Sequence, residues 1–219
     1  MTLSDRQEDI LESVVEEYVK KAFPISSQLL EEEYEFGFSL ATIRNELQFL
    51  TEKGYLFQPH ISAGRVPTEK GYRFLVGDLL EEMPQSAEGM RIGDHFSLMQ
   101  ELAEACSGLA LSYTLRDHTL WKEGWEEILQ EPEFQEGNSI KSLTQFLRDM
   151  EDHIEDLKAE QLISLYIGRE NPFSKVQDFS MIFSVFSTEP QGVVAIIGPK
   201  RMAYDKNINT FKELLYGKR

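Results

Sequence analysis

The chain has 219 residues, 41% of them hydrophobic, one cysteine and a formal net charge of −16. That length and apolar content allow one large or two small domains with a real core, and argue against disorder. The lone Cys106 excludes an internal disulfide or a multi-cysteine metal site and suits a reducing cytoplasm, while the acidic balance argues against non-specific binding to nucleic acid, a polyanion usually gripped through Lys and Arg.

No apolar run approaches membrane-spanning length, and MTLSDRQEDI lacks the pattern of a signal peptide. Ser4 and Gln7 have capping-box spacing. They open a helix whose apolar face is Ile10, Leu11, Val14, Val15, Tyr18 and Val19, and Pro24 ends it. A short second helix follows Ser26, with Leu29, Leu30 and Tyr34 inward and Glu31, Glu32 and Glu33 outward as a solvated face. Gly37 suits the next turn.

Ser39 reads as the N-cap of a third helix, with Ile43, Leu47 and Leu50 forming its apolar stripe. Ala41, Asn45 and Gln48 fall opposite, flanked by Thr42 and Arg44. Asn and Gln suit adenine, Arg suits guanine or phosphate, and Ala or a Thr methyl suits thymine. After Gly54 the period changes. Tyr55 to His60 is β-prone, and Ile61 to Val66 reads as a hairpin tip, with Gly64 at the bend and Arg65 beside it. A helix followed by an arginine-tipped hairpin is a winged helix-turn-helix: the helix enters the major groove, and the wing follows the backbone or minor groove. On spacing alone, an ordinary helix and hairpin with a polar wet face stays open. Between residues 38 and 78 five cations meet four anions, a net charge of +1 inside a strongly acidic whole.

A fourth helix starting at Pro67-Thr68 carries Phe74, Leu75, Leu79 and Leu80, and closes a first domain at residues 1–80. Residues 81–95, with Pro84, Gly89 and Gly93, read as a linker. The third segment, 96–219, is expected to be a small α+β domain. It opens with a helix whose face holds Leu98, Leu102, Cys106, Leu109 and Tyr113. Trp121 and Trp125 anchor a partly irregular stretch. A helix capped by Ser139 follows, with Leu143, Leu147, Met150, Ile154 and Leu157 at heptad-like spacing. That stripe fits either a helix lying on a sheet or a dimer seam. Three strands are expected at 162–168, 179–186 and 193–197, the last two as an antiparallel pair turning at Thr188 to Gly192, before a closing helix through Ile208, Phe211, Leu214 and Leu215. The fold class is therefore α+β.

His60, His95, His118 and His153 do not cluster. There is no Gly-rich phosphate loop, no catalytic carboxylate pair stands out, and no metal or cofactor is expected. An enzymatic reading has little support.

The run from Ser39 to Leu47, followed by Gln58 to Thr68 and by Lys70-Gly71-Tyr72-Arg73, resembles the HrcA family of heat-inducible transcription repressors. So do Leu129 to Phe134, Ile167 to Asn171 and Ile197 to Asp205. The resemblance implies a repressor of chaperone genes, not an enzyme, that binds double-stranded DNA at an inverted-repeat operator as a homodimer in the cytoplasm. It also implies a chaperonin that sustains repression. In the family the C-terminal part is a GAF-like regulatory domain with an inserted dimerising domain. Here the chain passes from the helix at 96–113 almost directly to the Trp121 segment, so the first strands of that half and the insert are expected to be missing. The DNA-contacting residues expected are Ser39, Ala41, Thr42, Arg44, Asn45 and Gln48 on the helix, His60, Ser62 and Arg65 on the wing, and Lys70 and Arg73 beside it. Leu143, Leu147, Met150, Ile154 and Leu157 are the candidate dimerisation residues. The competing reading is a protein-interaction module derived from such a repressor that has lost DNA binding.

Overall fold

A computed structural model describes residues 3–81, 95–135, 137–158, 161–186 and 191–217. The expected linker, apart from its two ends, and most of the turn at Thr188 lie outside the described residues. The chain divides into two compact units, Met1–Gly77 and Asp78–Arg219.

The first unit is three helices and a short hairpin. α1 is Asp5–Lys21, α2 Ser27–Glu33 and α3 Leu40–Glu52. Ile10, Leu11 and Val14 of α1, Leu30 of α2 and Ile43, Leu47 and Leu50 of α3 share one buried cluster. Each helix thus spends its apolar stripe on the same core, which fixes which faces remain wet. β1 (Leu56–Phe57) pairs antiparallel with β2 (Val66–Pro67). Arg65 and Ile25 exchange backbone hydrogen bonds of 2.8 and 2.7 Å, so the segment before α2 forms a third rail of the wing. α4 runs from Glu69 to Glu81, two residues later than Pro67 suggested. Thr68 stands at its start, its Oγ1 accepting the Gly71 N–H at 3.2 Å.

The second unit is a five-stranded antiparallel sheet in the order β4-β3-β7-β6-β5. α5 is His95–Cys106, β3 Leu109–Thr114, β4 Thr119–Glu123 and α6 Trp125–Leu129. α7 is Asn138–Asp152, β5 Ser164–Ile167, β6 Phe179–Phe186, β7 Gly192–Pro199 and α8 Tyr204–Tyr216. The odd-numbered residues of β3, β6 and β7 face α7: Leu109, Leu111, Phe179, Met181, Phe183, Val193 and Ile197 join Leu143, Phe146, Leu147 and Met150 in one core. On the other face Ser180 meets the Tyr204 hydroxyl of α8 at 2.7 Å, and Asn207 of α8 donates to the Cys106 carbonyl at 3.4 Å. α5 and α8 pack together on that side. The Cys106 side chain is buried, and burial pushes its thiol up to about 12.

Four expectations are corrected here. Leu109 and Tyr113 do not continue a helix. The helix stops at Cys106, Ser107 takes φ 51°, and both residues lie on β3. Strands therefore stand where the chain was expected to lack them, and Trp121 sits on edge strand β4. The helix expected after Ser139 begins at Asn138 and ends at Asp152, so Ile154 and Leu157 lie beyond it. Most consequentially, Leu143, Leu147, Met150, Ile154 and Leu157 are 1–5% exposed, inside the same core as the sheet. Their 4-3-4-3 spacing is what any helix needs to lie on a sheet. The stripe is filled from within the chain and offers nothing to a second copy.

Arg201 is 8% exposed and lies against Glu131 and Glu133. Burial opposes its charge, but the two carboxylates outweigh that and raise its pKa above the ordinary arginine value.

Candidate nucleic-acid interface

The wet face of α3 is set from both ends of its unit. At its N-terminus, Ser39 Oγ accepts the Thr42 N–H at 3.3 Å, and the two hydroxyls lie 3.1 Å apart. Gly37, at φ 74°, supplies the left-handed turn before it. This caps the helix and occupies the hydroxyls of Ser39 and Thr42.

The one acid in the middle of α3 is taken inward. Glu46 is buried, with Arg6 Nη2 at 2.6 Å and Gln7 Nε2 at 3.0 Å from its two carboxylate oxygens. Gln7 also closes the α1 cap, its Oε1 accepting the Ser4 N–H at 3.1 Å. A carboxylate that would repel a duplex is thereby turned away from solvent, with a cation against it. Capping-box spacing marks Gln7 only as a cap residue, and nothing in the local pattern marks Arg6. No periodic signal marks a partner 40 residues away.

What remains outward is Ala41, Arg44, Asn45 and Gln48, all exposed. Arg44 Nε donates to Ser27 Oγ at 3.3 Å, leaving the guanidinium's other donors to reach out. Asn45 makes no side-chain bond to any described residue. Gln48 is held on both sides: its Oε1 accepts from Arg65 Nη2 at 3.4 Å, and its Nε2 donates to Glu52 at 3.0 Å.

Arg65 is not at the tip of the wing. Its backbone lies in the rail against Ile25, and its side chain turns back onto α3, Nε donating to Thr51 Oγ1 at 2.8 Å. Burial lowers its pKa from the ordinary arginine value. The residues at the tip are His60, Ile61 and Ser62, all exposed. Gln58 Nε2 closes the loop by donating to the Ile61 and Ala63 carbonyls, each at 3.0 Å.

Lys70 is exposed but anchored. Its Nζ donates to the Lys53 carbonyl at 2.7 Å, at the C-terminal end of α3, and lies 4.0 Å from the Tyr55 ring centre. A cation there complements the negative end of the helix. Arg73 is half-buried and already engaged within the protein. Glu31, Glu32 and Glu33 are exposed on α2. The structure thus gathers Arg44, Asn45, Gln48 and Arg65 on and beside one helix face. It leaves His60 and Ser62 on the wing loop and Lys70 by the helix end. Among the described residues, no group of acids, histidines and cysteine has the geometry of a metal site, and no helix is long and apolar enough to cross a membrane.

The family model for the HrcA protein C terminal domain matches residues 73–208. The chain belongs to the HrcA family. Members of this family are transcription repressors and not enzymes. The heat-inducible transcription repressor HrcA of Natranaerobius thermophilus is 26% identical over 321 positions, covering 95% of this chain and 94% of that protein. Its counterpart in Brevibacillus brevis is also 26% identical, over 98% of this chain and 96% of that protein. Identity rises to 52% over 81 residues with the HrcA of Caldanaerobacter subterraneus subsp. tengcongensis, a match covering 37% of this chain and 24% of that protein. An alignment of 321 positions against 219 residues leaves at least 102 where the Natranaerobius protein has residues and this chain has none. The chain is a shortened member of its family. A crystal structure of a hypothetical protein superposes with a TM-score of 0.78 over 97% of this chain and 95% of that one, at 22% identity. That likeness bears on the α+β fold.

Proposed function

We propose that this HrcA-family chain represses chaperone genes by binding an inverted-repeat operator as a dimer, each N-terminal unit reading one half-site. The observation that carries the reading is the outward face of α3: Asn45 is exposed and unengaged, while Glu46 on the same helix is buried against Arg6. Asn45 is the base-reading amide, able to pair bidentately with adenine, and Ala41 and the Thr42 methyl suit thymine. Arg44 takes a guanine or a nearby phosphate, and His60, Ser62, Lys70 and Arg73 lie toward the backbone. Gln48 and Arg65 act as a brace between helix and wing. Two copies then place half-sites one helical turn or a multiple apart. The buried α7 stripe does not join them. The chaperonin that sustains repression in the family is part of the same proposal, and added chaperonin should raise the fraction of chain competent for the operator.

A second reading, a protein-interaction module that no longer binds DNA, is favoured by the net charge of −16. Electrophoretic shift against an inverted-repeat duplex across a salt series separates the two. A sequence-specific shift that weakens steeply with salt and is lost in Asn45→Ala supports the repressor. No shift at the lowest salt supports the interaction module.

A further inference from the structure

We propose that Ile61 is an apolar wedge that enters the minor groove of the bound duplex, so that the wing works by insertion and unstacking instead of by charge. This rests on the DNA-reading role proposed above. Ile61 is 100% exposed. A scattered surface hydrophobe is ordinary, but the loop beneath this one is braced from three directions. Gln58 Nε2 bridges the Ile61 and Ala63 carbonyls, each at 3.0 Å. The Ala63 N–H donates to the His60 carbonyl at 2.9 Å, closing the turn. At Gly64 a Cβ would lie 2.3 Å from the Ile25 carbonyl oxygen, so the return strand fits tightly against its rail. The Ala63 N–H and the His60, Ile61 and Ala63 carbonyls are bonded within the loop, and a branched apolar side chain is exposed at its tip.

The charge pattern points the same way. Residues 58–64 contain no lysine or arginine, and Arg65 is turned back onto Thr51 and Gln48. A tip without a fixed cation gains little from phosphates. The minor groove, about 6 Å wide, admits a single side chain, and apolar wedges placed between base steps there unstack and kink the duplex. Bracing matters because a preordered loop loses little freedom when it inserts.

The test uses the full chain and a duplex that it selects from a random-sequence pool, with 2-aminopurine placed at successive steps under the wing and end-labels that report bending. The expected result is enhanced 2-aminopurine fluorescence at one step with a bend. Ile61→Leu should retain both. Ile61→Ala should lose both and bind about ten-fold more weakly, as expected for removing a buried branched apolar side chain. The proposal is overturned if Ile61→Ala keeps wild-type fluorescence, bend and affinity. It is also overturned if Ile61→Lys binds more tightly with a steeper salt dependence, which would place the tip against phosphates. If the wild-type chain selects no duplex, the DNA-reading role itself fails, a result distinct from selection with an indifferent Ile61.

Discussion

α3 and α7 invite comparison because residues 41–50 and 141–150 share one pattern of burial, position for position. Ile43 answers to Leu143, Leu47 to Leu147 and Leu50 to Met150, all buried. The difference lies in what the outward residues are doing. Asn45 is unengaged, whereas its counterpart Gln145 donates to Asp149 at 2.7 Å. Asp149 also accepts from Ser174 at 2.6 Å, and Lys122 on β4 pairs with Glu151. Glu46 is a buried acid held by a cation from another helix, while Phe146 in the same place is simply core. Periodicity tells which face of a helix packs. Function depends on whether the other face has its hydrogen bonds met at home.

The largest effect that sharpens this comparison is in the core of α7. Phe146 is wholly buried, so Phe146→Ala should cost about 3–5 kcal/mol, read as an earlier unfolding transition of the C-terminal unit in denaturant. If that loss grew as the protein was diluted, α7 would be serving a subunit contact after all.

Next comes the buried acid of α3. Arg6→Ala removes the cation from Glu46, and stranding a buried carboxylate costs about 1–3 kcal/mol. Denaturation of the N-terminal unit should report it, and the double variant with Glu46→Gln should recover much of the loss. No recovery would mean that Arg6 acts through its packing over Phe38 instead.

The paired amides give the most direct contrast. Asn45→Ala should leave stability within about 0.5 kcal/mol. It should remove about 1–3 kcal/mol of discrimination between operator and mutated duplex. Gln145→Ala should change neither binding nor specificity. Equal effects of the two on the gel shift would end the distinction drawn between the helices.

The smallest expected effect is with pH. Glu16 has its pKa lowered below 4.5 first by its bond from Lys20 and then by that from the Tyr34 hydroxyl. A carboxylate depressed in the folded state stabilises it above the unfolded pKa, and that contribution fades as pH falls through the folded value. The group is half exposed, so the slope is shallow. Tyr34→Phe should flatten it in acid unfolding curves by lowering neutral stability slightly, with stability below the folded pKa unchanged.

Much of the first unit could be read in the sequence because its signals are local: Ser39 before a helix, Gly37 and Gly54 at turns, and Ile43, Leu47 and Leu50 in step. The β6 and β7 segments were legible as apolar runs of strand length. β3 was not. Leu109, Leu111 and Tyr113 alternate with the small Ala110 and Ser112, but Leu109 and Tyr113 also keep step with Leu102 and Cys106 at helical spacing, and the run follows a helix directly. The break at Ser107-Gly108 was the signal to heed. Within the site, the outward face of α3 followed from period alone, but the inward turn of Arg65 and the double hold on Gln48 did not. Those depend on partners 14 and 17 residues away across a hairpin. The α7 stripe admits two readings for a related reason: an apolar stripe records that something covers it, not whether the cover belongs to the same chain.

Cys106 carries a last consequence. Its thiol stays protonated inside the C-terminal unit, so oxidants and alkylating reagents have little purchase on the folded protein, and a cell's redox state should pass it by. Heat is different. Any opening of α5 exposes the chain's single thiol, and the rate at which a maleimide captures it across a temperature ramp would time that opening without any added label.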